Sequence, residues 1–226
     1  MDLLLNEAST QYFLNPIWLS LKVAVVAGLV VILAGTLAGR LLARKTFRGK
    51  AVLETIFMLP MVLPPTVVGF LLIVIFGKNG MGGKVIEWLF NQSIIFTWWA
   101  AVIASAVVAF PLMYQSAKSG FQGINIDIEE AAKVDGASAW KVFFFISIPL
   151  ASRSLISGSI LSFARALGEF GATLMFAGNI PGKTQTIPTA IYIAIDSGNM
   201  KMAWLWVISI VIISFIMLLV IRVKRE

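Results

Sequence analysis

Five stretches of this 226-residue chain stay apolar for about the length that crosses a bilayer, and the charged positions gather between them. They cover residues 17–38, 51–76, 94–114, 155–177 and 203–223, and each approaches or exceeds the roughly 20 residues a helical span requires. Trp18, the pair Trp98 and Trp99, and Trp204 with Trp206 mark their ends, where amphipathic rings favour the membrane interface. Lys22 stands near enough to an end to snorkel outward. A sixth span would have to come from residues 179–200, where Pro181, Lys183, Pro188 and Asp196 argue against it. The apolar run 186–195 is long enough only for a re-entrant or interfacial piece. The pattern predicts an all-α polytopic membrane protein with about five transmembrane helices in one domain over residues 1–226.

The polar intervals predict an orientation. The first carries Arg40, Arg44, Lys45, Arg48 and Lys50 and no acid. The interval 115–153 carries Lys118, Lys133, Lys141 and Arg153, and the chain ends with Arg222, Lys224 and Arg225. Five spans put these three on one side, which the positive-inside rule makes the cytoplasm. The other intervals, with Lys78, Lys84, Lys183 and Lys201, are poorer in basic residues and face out, as does the N-terminus with Asp2 and Glu7. The expected topology is N-terminus outside and C-terminus cytoplasmic, in the inner membrane. The N-terminus lacks a basic region and does not read as a secretory leader.

Composition narrows the chemistry. The apolar fraction is 59%, against about 45–50% in soluble domains. No cysteine or histidine occurs, which excludes thiol catalysis and thiolate metal sites and removes the commonest general base. The net charge of +7 fits topology-setting loops rather than nucleic acid. No P-loop pattern is present. A membrane enzyme is disfavoured, and neither a metal nor a cofactor of the chain's own is expected.

The interval 115–153 is unusual. Only 11 acidic residues occur in the chain, and Asp127, Glu129, Glu130 and Asp135 are four of them. Asp127 and Glu130 have capping-box spacing, predicting a short helix that begins at Asp127. Gly136 suits its C-terminal stop. A second helical stretch is expected from about Ser138 to Ser147, ending at Pro149, with an aromatic face of Trp140, Phe143 and Phe144. Small residues allow close approach and carboxylates offer bidentate acceptors to Arg. Spacing alone leaves two readings open: a docking element for a soluble partner, or a solvated loop whose acids only cap helices.

Here the chain resembles the membrane permeases of ABC-type importers, with the type I permease fold. Their cytoplasmic signature reads Glu-Ala-Ala, three residues, Gly, nine residues, Ile-x-Leu-Pro. This chain has Glu130-Ala131-Ala132, Gly136, then Ile146-Ser147-Ile148-Pro149, with Ile148 in place of leucine. The resemblance implies a coupling loop over 115–153 that seats in an ATPase subunit, with Glu130, Ala131, Ala132, Gly136, Ala137 and Trp140 at the contact. It implies as partners an ABC ATPase dimer, which uses ATP and Mg, and an extracytoplasmic binding protein. The segments 59–72 and 163–192 are similar to molybdate permeases, with tungstate and sulfate permeases as near relatives. The expected cargo is thus molybdate or a similar tetrahedral oxyanion. A sulfate or thiosulfate permease is the alternative. An ion-coupled secondary transporter, for which Glu169 is the one mid-membrane candidate, is a more remote one.

Other features gain meaning beside this. Pro60, Pro64 and Pro65 interrupt the second span, as a mere kink or as a lining of the translocation path together with Thr66. Arg165 and Glu169, at i and i+4 of one expected helix, read as an oxyanion site or as a neutral internal pair. The second is favoured, because a pair has already neutralised its charge. Gly35 and Gly39 form a GxxxG, and Ser154, Ser157, Gly158, Ser159 and Ser162 make the fourth span small-faced. One coupling loop and five spans are too few for a complete path served by two ATPase subunits, which implies a homodimer.

Overall fold

The computed structural model describes the backbone of residues 2–223 and the side chains of residues 10–219. The side chains of Asp2 and Glu7, and the basic residues Arg222, Lys224 and Arg225, lie outside the described residues. Helices account for the fold, and no strand occurs among the described residues. In chain order they are α1 (Asp2–Ala43), α2 (Lys50–Val62), α3 (Pro65–Phe76), α4 (Met81–Phe90), α5 (Trp98–Gln122), α6 (Ile126–Val134) and α7 (Ala139–Val142). A π turn (Phe143–Ser147) leads into α8 (Ile148–Leu167), followed by α9 (Gly171–Ala177), α10 (Ile187–Asp196) and α11 (Met200–Val223). Four uninterrupted helical runs are long and apolar enough to cross a membrane: Thr10–Ala43, Trp98–Gln122, Ala139–Leu167 and Met200–Leu219. The α2–α3 pair makes a fifth if it is counted as one broken span.

The chain divides into two compact units. One gathers Val26–Pro64 and Ala106–Ala166. Its centre is the second half of α5, where Met113, Tyr114, Ala117 and Phe121 are buried. The GxxxG of α1 packs there: a Cβ on Gly35 would meet Met113 Cγ at 2.7 Å, and one on Gly39 would meet Ala117 Cβ at 2.7 Å. The small face of α8 packs on α5 as tightly: a Cβ on Gly158 would meet Ser116 Cβ, and one on Gly120 would meet Ser154 Cβ, each at 2.6 Å. Without an oil–water difference between helices, close van der Waals contact through small residues is what holds such pairs. Glu54 of α2 adds polar contacts, accepting from Lys118 Nζ at 2.6 Å and Tyr114 Oη at 3.2 Å.

The other unit gathers Met1–Val25, Pro65–Ser105 and Leu167–Glu226. In it α3 lies against α9, with Gly69 on Met175 and Gly171 on Pro65. The ten-residue α10 packs on α11 around Ile187, Ala190, Ala194, Ala203 and Trp206, and at about 15 Å it is too short to cross. The Trp206 indole donates to Phe13 O at 3.0 Å, and Ser20 Oγ accepts from Ile187 N at 2.7 Å. Lys22 places its ammonium 4.2 Å from the centre of the Trp98 ring, a cation–π contact.

Several expectations are sharpened or corrected. The interruption expected at the prolines of the second span falls at Leu63–Pro64. Leu63 is extended (φ −69°, ψ 143°), and α3 restarts at Pro65, because the residue before a proline avoids helical geometry and Leu63 and Pro64 each precede one. Pro60, by contrast, is carried inside α2. The third span starts later and ends later than 94–114. Phe96 has φ 59°, and α5 continues through Gln115, Lys118, Ser119 and Gln122, whose polarity ended the apolar run but not the helix. The fourth span is broken rather than continuous over 155–177, since α8 stops at Leu167. Pro149 does not end the helix before it. The π turn shifts the hydrogen-bond register, Ile148 N bonding to Phe143 O, so the proline is accommodated in the first turn of α8. The helix α4 was not anticipated.

Candidate functional site

The interval between α5 and α8 folds as two short helices around a tight turn. Asn125, not Asp127, is the N-cap of α6: its Oδ1 accepts from Asp127 N at 3.0 Å. Asp127 and Glu129 instead lie in the first turn, where the helix dipole favours negative charge, and Glu130 follows it. The C-terminus is a Schellman turn. Gly136 has φ 88°, its N–H bonds Lys133 O at 3.0 Å, and Ala137 N bonds Ala132 O at 2.9 Å. A Cβ on Gly136 would meet nothing within 4 Å, so glycine is required there by backbone and not by crowding. Ser138 caps α7 through Lys141 N.

The predicted contact residues are presented together. Glu130, Ala131 and Gly136 are exposed, Ala132 and Ala137 are half-buried, and Trp140 is 70% exposed and stacked on Phe144. The result is an apolar ridge beside carboxylates.

Glu129 was missed. It is 3% exposed and turns inward. Its Oε1 accepts from Arg40 Nη1 at 2.8 Å and from Ser147 Oγ at 2.6 Å, and its Oε2 from Arg44 Nη1 at 2.9 Å. Burial raises its pKa. The hydrogen bonds from Arg40 and Ser147 and the charges of Arg40 and Arg44 outweigh that and hold it below its usual value. Arg44 Nη2 also donates to Ile124 O, and Gln122 Nε2 donates to Ala43 O at 2.9 Å, so the ends of α1 and α5 satisfy each other's free carbonyls. The available signal is two arginines a turn apart at a span end, a pattern that topology alone also explains.

The remaining site residues are dispersed. Pro60 lines an apolar cavity of about 430 Å³ with Val30, Phe57 and Phe110. Pro64, Pro65 and Thr66 are exposed at the α2–α3 break. Arg165 is half-buried in the last turn of α8. Glu169 is buried beyond the end of that helix, where its Oε1 accepts from Ala172 N at 2.8 Å in the first turn of α9. The expectation that Arg165 and Glu169 share one helix face is therefore corrected: a local carboxylate–amide bond competes with the helix and ends it. No cluster of metal-ligating residues occurs among the described residues.

Comparison with known proteins decides the family. Residues 32–224 match the family described as binding-protein-dependent transport system inner membrane component. The chain belongs to this family. The permease is 67% identical over 225 residues to a protein of Bacillus subtilis (strain 168) named as a molybdenum transport system permease, YvgM, covering 100% of this chain and 99% of that one. It is 43% identical to the molybdenum transport system permease protein ModB of Escherichia coli (strain K12), covering 94% and 96%. Its fold is that of ABC importer permeases. A methionine ABC transporter, MetNI, superposes with a TM-score of 0.71 over 97% of each chain at 17% identity.

Proposed function

We propose that this permease carries molybdate, or a similar tetrahedral oxyanion such as tungstate, through the inner membrane in an ATP-driven importer. The observation that carries the substrate is the 67% identity, over essentially the whole of both chains, to a protein named as a molybdenum transport permease. The chain acts as a single permease domain and as a homodimer. Two copies of the loop seat in an ABC ATPase dimer on the cytoplasmic side, and a binding protein delivers the anion from outside. The N-terminus faces out and the C-terminus faces in. ATP and Mg belong to the ATPase.

The exposed face of the loop supports this docking role. Glu130 offers a carboxylate to a basic partner residue, Ala131, Ala132 and Ala137 allow close approach, Gly136 makes the turn, and Trp140 supplies an apolar anchor of the type that dominates interfaces. Pro60, Pro64, Pro65 and Thr66 are proposed to line the path. The opposite charges of Arg165 and Glu169 leave their stretch near neutral, which suits a path that must release its anion.

The test is uptake of labelled molybdate into liposomes holding the permease, its ATPase and its binding protein. Uptake that needs ATP, needs no ion gradient and is competed by tungstate is expected. Competition by sulfate at equal concentration would make the chain a sulfate-class permease. Uptake driven by an ion gradient without ATP would make it a secondary transporter.

A further inference from the structure

Two acids stand side by side in the loop, and of the two only Glu130 is exposed. Glu129 gathers three donors from two separate parts of the chain: Arg40 and Arg44 at the end of α1, and Ser147 in the π turn that leads into α8. Arg44 reaches on to Phe121 O in the last turn of α5 and to Ile124 O just after it. One carboxylate thus joins α6 to the ends of α1 and α5 and to the start of α8. Elsewhere the loop is held by apolar contacts that fix no direction, the buried Val142 and the Phe143 ring against Phe121 of α5, and the rest of it is open. Val134 is 87% exposed, and Trp140, Phe144 and Phe145 are exposed as well.

We infer that Glu129 is the positioning residue that makes the loop a rigid extension of the membrane helices, so that ATPase motion received on the Glu130 face moves α1, α5 and α8 instead of merely swinging the loop. The inference rests on the coupling role proposed above and adds the residue that transmits it. A force can be passed on only by a body stiffer than its hinges. Here the candidate hinges are the two ends of the interval: residues 123–125 after α5, and the π turn, a register shift that helices often place where they must adjust. The Glu129 network spans both. A carboxylate with two guanidinium partners and a hydroxyl holds its geometry far better than a single exposed pair. Both arginines keep some access to solvent, their side chains being 25% and 29% exposed, which lowers the cost of bringing three charges together.

Two measurements test this. The chain has no cysteine, so Val134→Cys gives a single site for a nitroxide label on the permease alone. Glu129→Gln in that background should raise the label's mobility, and Glu129→Asp should restore part of the order. In liposomes with ATPase and binding protein, Glu129→Gln should still recruit the ATPase and allow hydrolysis, while anion carried per ATP falls about 5-fold or more, the low end of allosteric coupling factors. A residue that served stability alone would lower the amount of folded complex without lowering that ratio. Unchanged label mobility overturns the inference, as does a wild-type transport ratio or loss of ATPase recruitment. Should Glu129→Gln fail to fold, Ser147→Ala keeps both ion pairs and should show the same drop in reduced form; a wild-type ratio there overturns the inference too. If the wild-type permease recruits no ATPase, the coupling role itself fails, and the label result still reads the rigidity independently.

Discussion

The two sides of α6 carry the same chemistry and do opposite things. On the inner side Glu129 is buried and bonded to Arg40, Arg44 and Ser147. On the outer side Glu130 is exposed. A helix advances 100° per residue, so adjacent positions can face a packed interior and open water. The contrast is the one the proposed coupling role requires of the signature's glutamate and its neighbour: one acid open to another chain, and one that holds the open surface still.

The comparison breaks most visibly at the outer acid. Glu130→Arg should leave the permease inserted and its stability within about 0.5 kcal/mol, as for exposed substitutions generally. ATPase recruitment should fail, since reversing a charge at an interface costs several kcal/mol. Co-purification from membranes measures this, and normal recovery of the ATPase would remove Glu130 from the interface.

Glu129→Leu should behave in the opposite sense. It leaves two guanidinium groups without their shared acceptor and should lower stability by about 3 kcal/mol, the low end for breaking a buried pair because both arginines reach solvent. The effect should also depend on pH. The pKa of Glu129 is depressed from its ordinary 4.5, so its contribution is complete above that value and is lost as pH falls through the lower folded-state value. Thermal unfolding in detergent from pH 7 downward should therefore show the wild type losing its advantage over Glu129→Leu only in acid. Parallel curves would show that the carboxylate's charge is not what stabilises the loop.

Sequence patterns exposed the spans and the loop more readily than the breaks within them. Hydropathy found α1, α5, α8 and α11 because each holds a long apolar run with few charges, and the Glu-Ala-Ala–Gly signature located the turn at Gly136 to the residue. The prolines marked the break at Leu63–Pro64, but hydropathy runs straight through Gly168–Phe170, since a break costs a few backbone hydrogen bonds and no apolarity. The fate of Glu169 illustrates the limit. Its spacing from Arg165 suggests one helix face, but a carboxylate can also bond an amide of its own backbone, as Glu169 does at Ala172 beyond the end of α8, and no local pattern encodes that helix end. Arg40 and Arg44 were visible as charges, but their partner lies 85 residues or more away.

At the turn joining the two sides, Gly136→Val should cost about 1–2 kcal/mol, the penalty of a left-handed backbone for a branched residue. Nothing lies within 4 Å of the site, so the cost is backbone strain alone and Gly136→Asn should recover much of it. Transport at a temperature where the wild type is fully folded is the measure. Equal losses in the valine and asparagine variants would point to a steric contact with the partner instead.

The smallest effect separates two candidate caps. Spacing favoured Asp127 as the residue that starts α6, whereas the Asn125 side chain is the one that accepts from the helix. Asn125→Ala should cost about 1 kcal/mol, the usual value of a lost N-cap. Asp127→Ala removes only a charge from the first turn and should cost about 0.3–1 kcal/mol, less in high salt. The salt dependence distinguishes the two mechanisms even where the magnitudes approach each other. A cap is a short directed hydrogen bond and survives screening, but a charge–dipole attraction does not. Label mobility at Val134→Cys, followed for both variants at low and high ionic strength, should show a salt-insensitive loosening for Asn125→Ala and a salt-sensitive one for Asp127→Ala. The reverse pattern would return the cap to Asp127 and start the helix two residues later, with Glu129 and Glu130 displaced along the first turn and the division between inner and outer acid undone.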